Sequence, residues 1–174
     1  GHGDSTTIGA ERERVLARAA ELGYSALALT DHDGVYGSLE FAHAAKDLGV
    51  RPITGAEVTL GVGSTEPPGS GGAGSGAGRG SHVTLLVETS QGYANLCRIL
   101  TEAHAGTRRA GREDREPLAP AVGLDFVGEH AEGLVCLSGC ARAGLAVHEP
   151  NAAARLAGAF GRARFLIELQ RPYE

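Results

Sequence analysis

Five short apolar runs, "ALALT", "RPITGAEVTL", "HVTLLVE", "GLVCLS" and "RFLIEL", constrain this chain more than any other feature, because segments with helical spacing separate most of them. Runs of this length suit strands, and repeated alternation of strand and helix favours a parallel α/β architecture with helices covering the strand faces. A barrel or partial barrel is the expected form. Residues 11–22 place Val15, Leu16, Ala19, Ala20 and Leu22 at helical spacing, with Gly23 as a stop. Ser38 is expected to cap a second helix reaching about Leu48, with Leu39, Phe41, Ala42, Ala45 and Leu48 inward. Ser90 is expected to cap a third, whose apolar face holds Tyr93, Leu96, Cys97 and Leu100. Shorter helices are expected over 123–130, 141–147 and 152–160. "ALALT" itself reads as a buried strand.

Two segments stand outside this pattern. Residues 61–81 are dominated by Gly, Ser and Pro, a composition that supplies no core contacts to offset the entropy of ordering, and read as a flexible surface loop. Residues 105–120 mix arginines with acids and read as a solvated loop rather than a nucleic-acid patch. With 174 residues and 42% hydrophobic content, the expectation is a single globular unit over 1–174. A formal charge of −5 gives no global attraction to phosphate backbones or anionic membranes. No run approaches the roughly 18 apolar residues of a membrane span, and no secretory signal is seen, so a cytoplasmic location is expected. The three cysteines, Cys97, Cys136 and Cys140, are too few for a disulfide framework and fit a reducing compartment. The absence of methionine, the initiator included, suggests a piece of a longer protein or a processed one.

In parallel α/β folds, functional groups gather where strands end, because side chains there converge on solvent instead of on the core. Asp31 and His32 directly follow the apolar "LALT", Glu57 lies within "ITGAEV", and Cys140 comes just after "LVCLS". His82 opens its strand instead. Imidazole and carboxylate suit zinc, manganese or iron, and a thiolate favours zinc among these. Plainer readings stay open for each residue: Asp31 or Asp33 capping a turn before Gly34, Glu57 paired with an arginine, His82 at an exposed strand edge, Cys140 as a small buried hydrophobe. His43, His104, His130 and His148 read as surface residues. Cys97 and Cys136 read as core.

The blocks "ALALTDHDGVYGSLEFAHAAKDLGVRPITGAEVTL", "HVTLLVE", "GYANLCRILTEAH", "EGLVCLSGCARAGLAV" and "FLIELQRPYE" resemble, in that order, the PHP (polymerase and histidinol phosphatase) domain of bacterial DNA polymerase III alpha subunits, most closely the error-prone, damage-tolerant branch. The resemblance implies a PHP-type distorted barrel of seven β/α units, incomplete here, with a metal cluster at the strand ends. It implies His32, Glu57, His82 and Cys140 as metal ligands, and Asp31 as a carboxylate that orients a ligand imidazole. The family's opening His-x-His and late Asp-x-His are not visible, and only His2 stands near the first. The implied metal is zinc or manganese in the PHP site, with magnesium serving the polymerase of a longer parent chain. That parent would synthesise DNA on a template as a nucleotidyltransferase in replication, repair and damage tolerance, with DNA and the rest of its own chain as partners and no membrane. The PHP part would be a metal-dependent phosphoesterase or exonuclease, or a structural support. The alternatives are a stand-alone phosphoesterase of the histidinol-phosphatase type and a metal-free interaction module.

Overall fold

The structure is a computed structural model that describes residues 8–61, 80–107 and 119–169. Most of the glycine-rich and arginine-rich loops, and His2, lie outside the described residues. Helix α1 (Ile8–Glu21) leads into β1 (Ala26–His32), α2 (Ser38–Asp47), β2 (Arg51–Thr59), β3 (His82–Val87), α3 (Ser90–Ala105), α4 (Leu124–Glu129), β4 (Leu134–Leu137), α5 (Leu145–His148), α6 (Pro150–Phe160) and the two-residue β5 (Phe165–Leu166). The strands form one sheet in the order β1-β2-β3-β4-β5. It is an α/β fold, but the sheet is mixed, which corrects the all-parallel expectation: β1 with β2 and β4 with β5 are parallel, whereas β3 is antiparallel to both its neighbours. No helix separates β2 from β3 among the described residues, so β3 can return beside β2 in the opposite direction without the crossover that a parallel pair requires.

The register divides the residues between two faces. Ala56 lies opposite Leu85 and Val58 opposite Val83, and Leu85 in turn faces Cys136. All five are fully buried, in one cluster with Leu96 and Ile99 of α3 and with Leu156 and Phe160 of α6. Leu27 and Leu29 of β1 point the same way and pack with Leu16 of α1 and Phe41 and Ala45 of α2. Helices therefore cover one face. Residues on the intervening positions, among them Thr30, His32, Glu57, Thr59 and Thr84, lie on the other and keep some exposure. Burying a large aliphatic side chain contributes about 2 kcal/mol, so the helix-covered face holds most of the driving force for folding.

Several local expectations are corrected here. β1 is half-buried rather than buried, because it is an outer strand of the described sheet with β2 as its paired neighbour. Leu39 is 67% and Tyr93 46% exposed, so neither belongs to the inward helix faces assigned to it. Leu22 and Val15 are also exposed. Gly37, not Ser38, precedes α2, and the Ser38 hydroxyl donates to the Val35 carbonyl. Thr89, not Ser90, caps α3: its Oγ1 accepts from the Gly92 amide at 3.1 Å, in the ordinary N-cap geometry.

Gly92 marks a close approach between α3 and the turn before β4. A Cβ there would sit 1.8 Å from the carbonyl oxygen of Gly133, whose own φ of 73° is in the left-handed region. Gly158 in α6 is exposed, and a Cβ there would meet nothing within 4 Å among the described residues. Opposite outcomes are expected in urea denaturation: Gly92→Ala destabilises by about 3 kcal/mol or more, because backbone must move, while Gly158→Ala stabilises by roughly 0.5–1 kcal/mol through helix propensity.

Candidate functional site

The pairing register that builds the core also assembles a polar group on the opposite face. His32 stands opposite Glu57 across β1 and β2, and Glu57 stands opposite Thr84 across β2 and β3. His82 faces Thr59, two residues from Glu57, so its ring reaches the Glu57 carboxylate on the diagonal. His32 Nδ1 lies 3.0 Å from Glu57 Oε1, and His82 Nδ1 lies 3.7 Å from the same oxygen. Glu57 thus sits between two imidazoles that are 50 residues apart in sequence. Its side chain is 34% exposed and that of His32 64%, so both are open to solvent.

His82 differs. It is buried, and its Nε2 has no hydrogen-bond partner among the described residues. The segment after β4 closes over it: the His82 amide donates to Ala143, and a Cβ on Gly139 would lie 2.4 Å from the His82 carbonyl oxygen and 3.2 Å from its ring Cδ2. Gly139, at φ 83°, is the residue that permits this approach.

Cys140 follows Gly139 and is half-buried. Its carbonyl oxygen accepts from the Gly144 amide, which holds the covering loop. Asp31 points to the helix side of β1, away from His32, and its Oδ2 accepts from the Gly37 amide at 2.7 Å. The structure therefore brings together His32, Glu57 and His82, sets Cys140 in the loop beside His82, and places Asp31 on the other side of the strand. Among the described residues, no three His, Cys, Asp or Glu side chains are grouped closely enough to surround one ion.

Asp33 and His104 also contribute to the cluster's surroundings. Asp33, weighed only as a turn cap, is buried at φ 47°, where Asp is one of the few tolerated side chains. Its carboxylate accepts from the Thr59 amide and the Thr59 hydroxyl, both at 2.8 Å, and lies 3.3 Å from His32 Nε2. It binds the end of β1 to the end of β2 and braces the His32 ring. His104, expected at the surface, is half-buried, and its Nε2 donates to the Asp33 carbonyl oxygen at 2.8 Å. His130 is half-buried too, stacked on Phe126. The Asp-Gly pair after a strand was the only available signal for Asp33; nothing local marks His104, whose partner is 71 positions away.

A family model for the PHP domain matches residues 9–172. The chain belongs to the PHP domain family. Among curated relatives, it is 36% identical to the error-prone DNA polymerase of Symbiobacterium thermophilum, over 92% of this chain and 15% of that protein. It is 38% identical to that of Mycolicibacterium paratuberculosis, over 91% and 14%, and 40% identical to that of Anaeromyxobacter sp. (strain K), over 86% and 12%. The PHP chain described here thus spans no more than 15% of the length of these relatives. Its fold resembles that of a Bifidobacterium adolescentis protein proposed to be a metal-dependent phosphoesterase, with a TM-score of 0.53 and 12% identity over 85% of this chain and 68% of that one. The mixed sheet with its helical layer is accordingly a PHP-type β/α fold.

Two measurements check this geometry. Replacing Asp33 by Ala removes two hydrogen bonds to a charged acceptor and leaves a strained backbone, at an expected cost of roughly 3 kcal/mol in denaturant unfolding. Asp33→Asn keeps an acceptor and the left-handed tolerance and is expected to lose less than half as much. Burial pushes the Cys136 thiol up to about 12, leaving a thiolate fraction on the order of one in ten thousand at pH 8. Thiol labelling of the native chain at pH 8 should therefore modify Cys140 at least 100-fold faster than Cys136, a difference that vanishes in denaturant.

Proposed function

We propose that this PHP domain is a segment of an error-prone DNA polymerase and that its His32, Glu57 and His82 cluster is one wall of a divalent-metal phosphoesterase centre, taking zinc or manganese. The observation that carries this reading is the buried, unpartnered Nε2 of His82. Leaving a buried polar atom unsatisfied costs about 1–3 kcal/mol, an arrangement better suited to a ligand nitrogen than to a structural histidine. Two imidazoles and a carboxylate are the donor types zinc and manganese accept. Cys140, in the loop on His82, is a further candidate ligand.

A bound divalent ion supplies charge neutralisation for a phosphoester and lowers the pKa of water. The chain's own residues do the rest. Glu57 orients His32 at Nδ1 and faces His82 Nδ1, Asp33 stands at the other nitrogen of His32, and the Gly139–Gly144 segment packs over His82. Asp31 fixes the turn into α2 through Gly37.

Identity to error-prone polymerases over some nine-tenths of the chain supports the assignment to such a parent, whose template-directed synthesis with magnesium, damage tolerance, cytoplasmic location and contact with DNA belong to this proposal. No helix among the described residues is long and apolar enough to cross a membrane. A supporting role for the domain without metal is the second reading, favoured by the engagement of both His32 nitrogens with carboxylates.

Titration with manganese or zinc, followed by metal analysis after gel filtration, decides between them. The expected result is saturable binding that falls at least tenfold in His82→Ala and in Glu57→Gln, with hydrolysis of bis(p-nitrophenyl) phosphate dependent on the same residues. A wild-type chain that retains no metal and is no more stable in its presence supports the second reading. The purified chain is expected to show no template-dependent primer extension.

A further inference from the structure

Ser138 is the first residue past β4, and it is only 1% exposed although it is polar. Two segments meet on it. On one side runs β5, parallel to β4: the Cys136 amide donates to the Arg164 carbonyl at 2.7 Å, and the Ser138 amide donates to the Leu166 carbonyl at 2.9 Å. The next rung of a parallel ladder would take the Glu168 amide to the Ser138 carbonyl. It goes instead to the Ser138 hydroxyl oxygen, at 3.0 Å. The side chain thus stands in for its own carbonyl, a substitution open to a short hydroxyl and closed to an aliphatic group.

The carbonyl so released serves the other segment. It accepts from the Ala146 amide at 3.5 Å, across the neck of the loop that covers His82. Within that neck the Gly144 amide donates to Cys140 at 2.7 Å and the His82 amide donates to Ala143 at 3.0 Å. The loop is tightly folded on itself, because a Cβ on Gly144 would lie 2.4 Å from the Gly139 carbonyl carbon. A loop that bends little internally takes its position from its root, and the root is Ser138.

We propose that Ser138 is a positioning residue for the polar cluster: by giving its hydroxyl to the end of β5 it keeps its carbonyl for Ala146, which holds the loop carrying Cys140 against His82. The inference rests on the divalent-metal reading above and extends it to a residue that is not itself a donor of the cluster. Without the hydroxyl, the Glu168 amide turns to the carbonyl, the regular rung, and draws it from Ala146, whose bond is already long. The sheet gains a rung while the loop loses its neck. The signature is therefore local opening of the loop with the sheet intact.

Amide hydrogen exchange on the 174-residue chain in EDTA reads this without metal. In Ser138→Ala the His82 amide should exchange about tenfold faster or more, while the Leu85 amide, paired on both sides in the middle of the sheet, stays within about threefold of the wild type. Thiol labelling of Cys140 should rise about fivefold or more. Ser138→Thr keeps the acceptor and should keep both values. Val50→Ala, a truncation in the separate core cluster under α1 and α2, should lower the urea midpoint more than Ser138→Ala does, yet leave His82 exchange and Cys140 labelling within about twofold. Zinc affinity, measured by competition with a chromophoric chelator, should fall about tenfold in Ser138→Ala and hold in Ser138→Thr. Unchanged His82 exchange in Ser138→Ala, a rise shared equally by Leu85, or zinc affinity indifferent to a loosened loop overturns the proposal. A wild type that binds no zinc while the exchange pattern holds counts against the metal centre and supports the placement of the loop by Ser138.

Discussion

Everything at the polar face depends on the placement of β2 between a parallel and an antiparallel neighbour. Side chains alternate with a period of two, so a one-residue slip on either side would exchange the core set Ala56 and Val58 for Gly55 and Glu57. The apolar face therefore enforces the register, and the register carries His32, Glu57 and His82 to the same side. Their convergence needs no attraction among themselves. It follows from burying Val58 against Val83 and Ala56 against Leu85, all four fully buried.

That division of labour explains which parts of the molecule were legible in the sequence. The apolar runs gave the strands and most helices, because a helix such as α3, with Leu96, Ile99 and Leu100 buried, has a periodicity that nothing else produces. The strand directions were not legible. Whether β3 runs with or against β2 depends on whether the intervening chain crosses over the sheet, and a segment of glycine, serine and proline encodes neither path. The buried state of β1 was likewise overestimated: its apolar run says that one face meets α1 and α2, not that a neighbour covers its second edge.

The site itself was legible only through family likeness. From local chemistry, His82 had equal claim to be an exposed strand end, and its burial comes from the loop at Gly139, more than 50 residues later, folding over it. Asp31 and Asp33 illustrate the same limit at shorter range. They flank His32, and the alternation of the strand sends Asp31 to the helix side. Asp33, one residue past the strand, enters a left-handed conformation that turns its carboxylate to Thr59 and to His32 Nε2. The residue that braces the imidazole is therefore the second acid, because the strand ends between them.

Asp33 also joins the two sides of the molecule. Its side chain belongs to the open face of the sheet and its carbonyl to the helix side, where His104 of α3 holds it. A buried carboxylate with three polar neighbours can shift little without breaking strong hydrogen bonds, so the His32 ring and the C-terminal part of α3 are fixed relative to one another through a single residue. The turn that follows, Gly34 to Tyr36, starts from that anchor. An aromatic ring resting on glycine backbone keeps its place only if the backbone beneath it is fixed. The anchoring of Asp33 thus fixes the backbone against which the exposed Tyr36 ring lies.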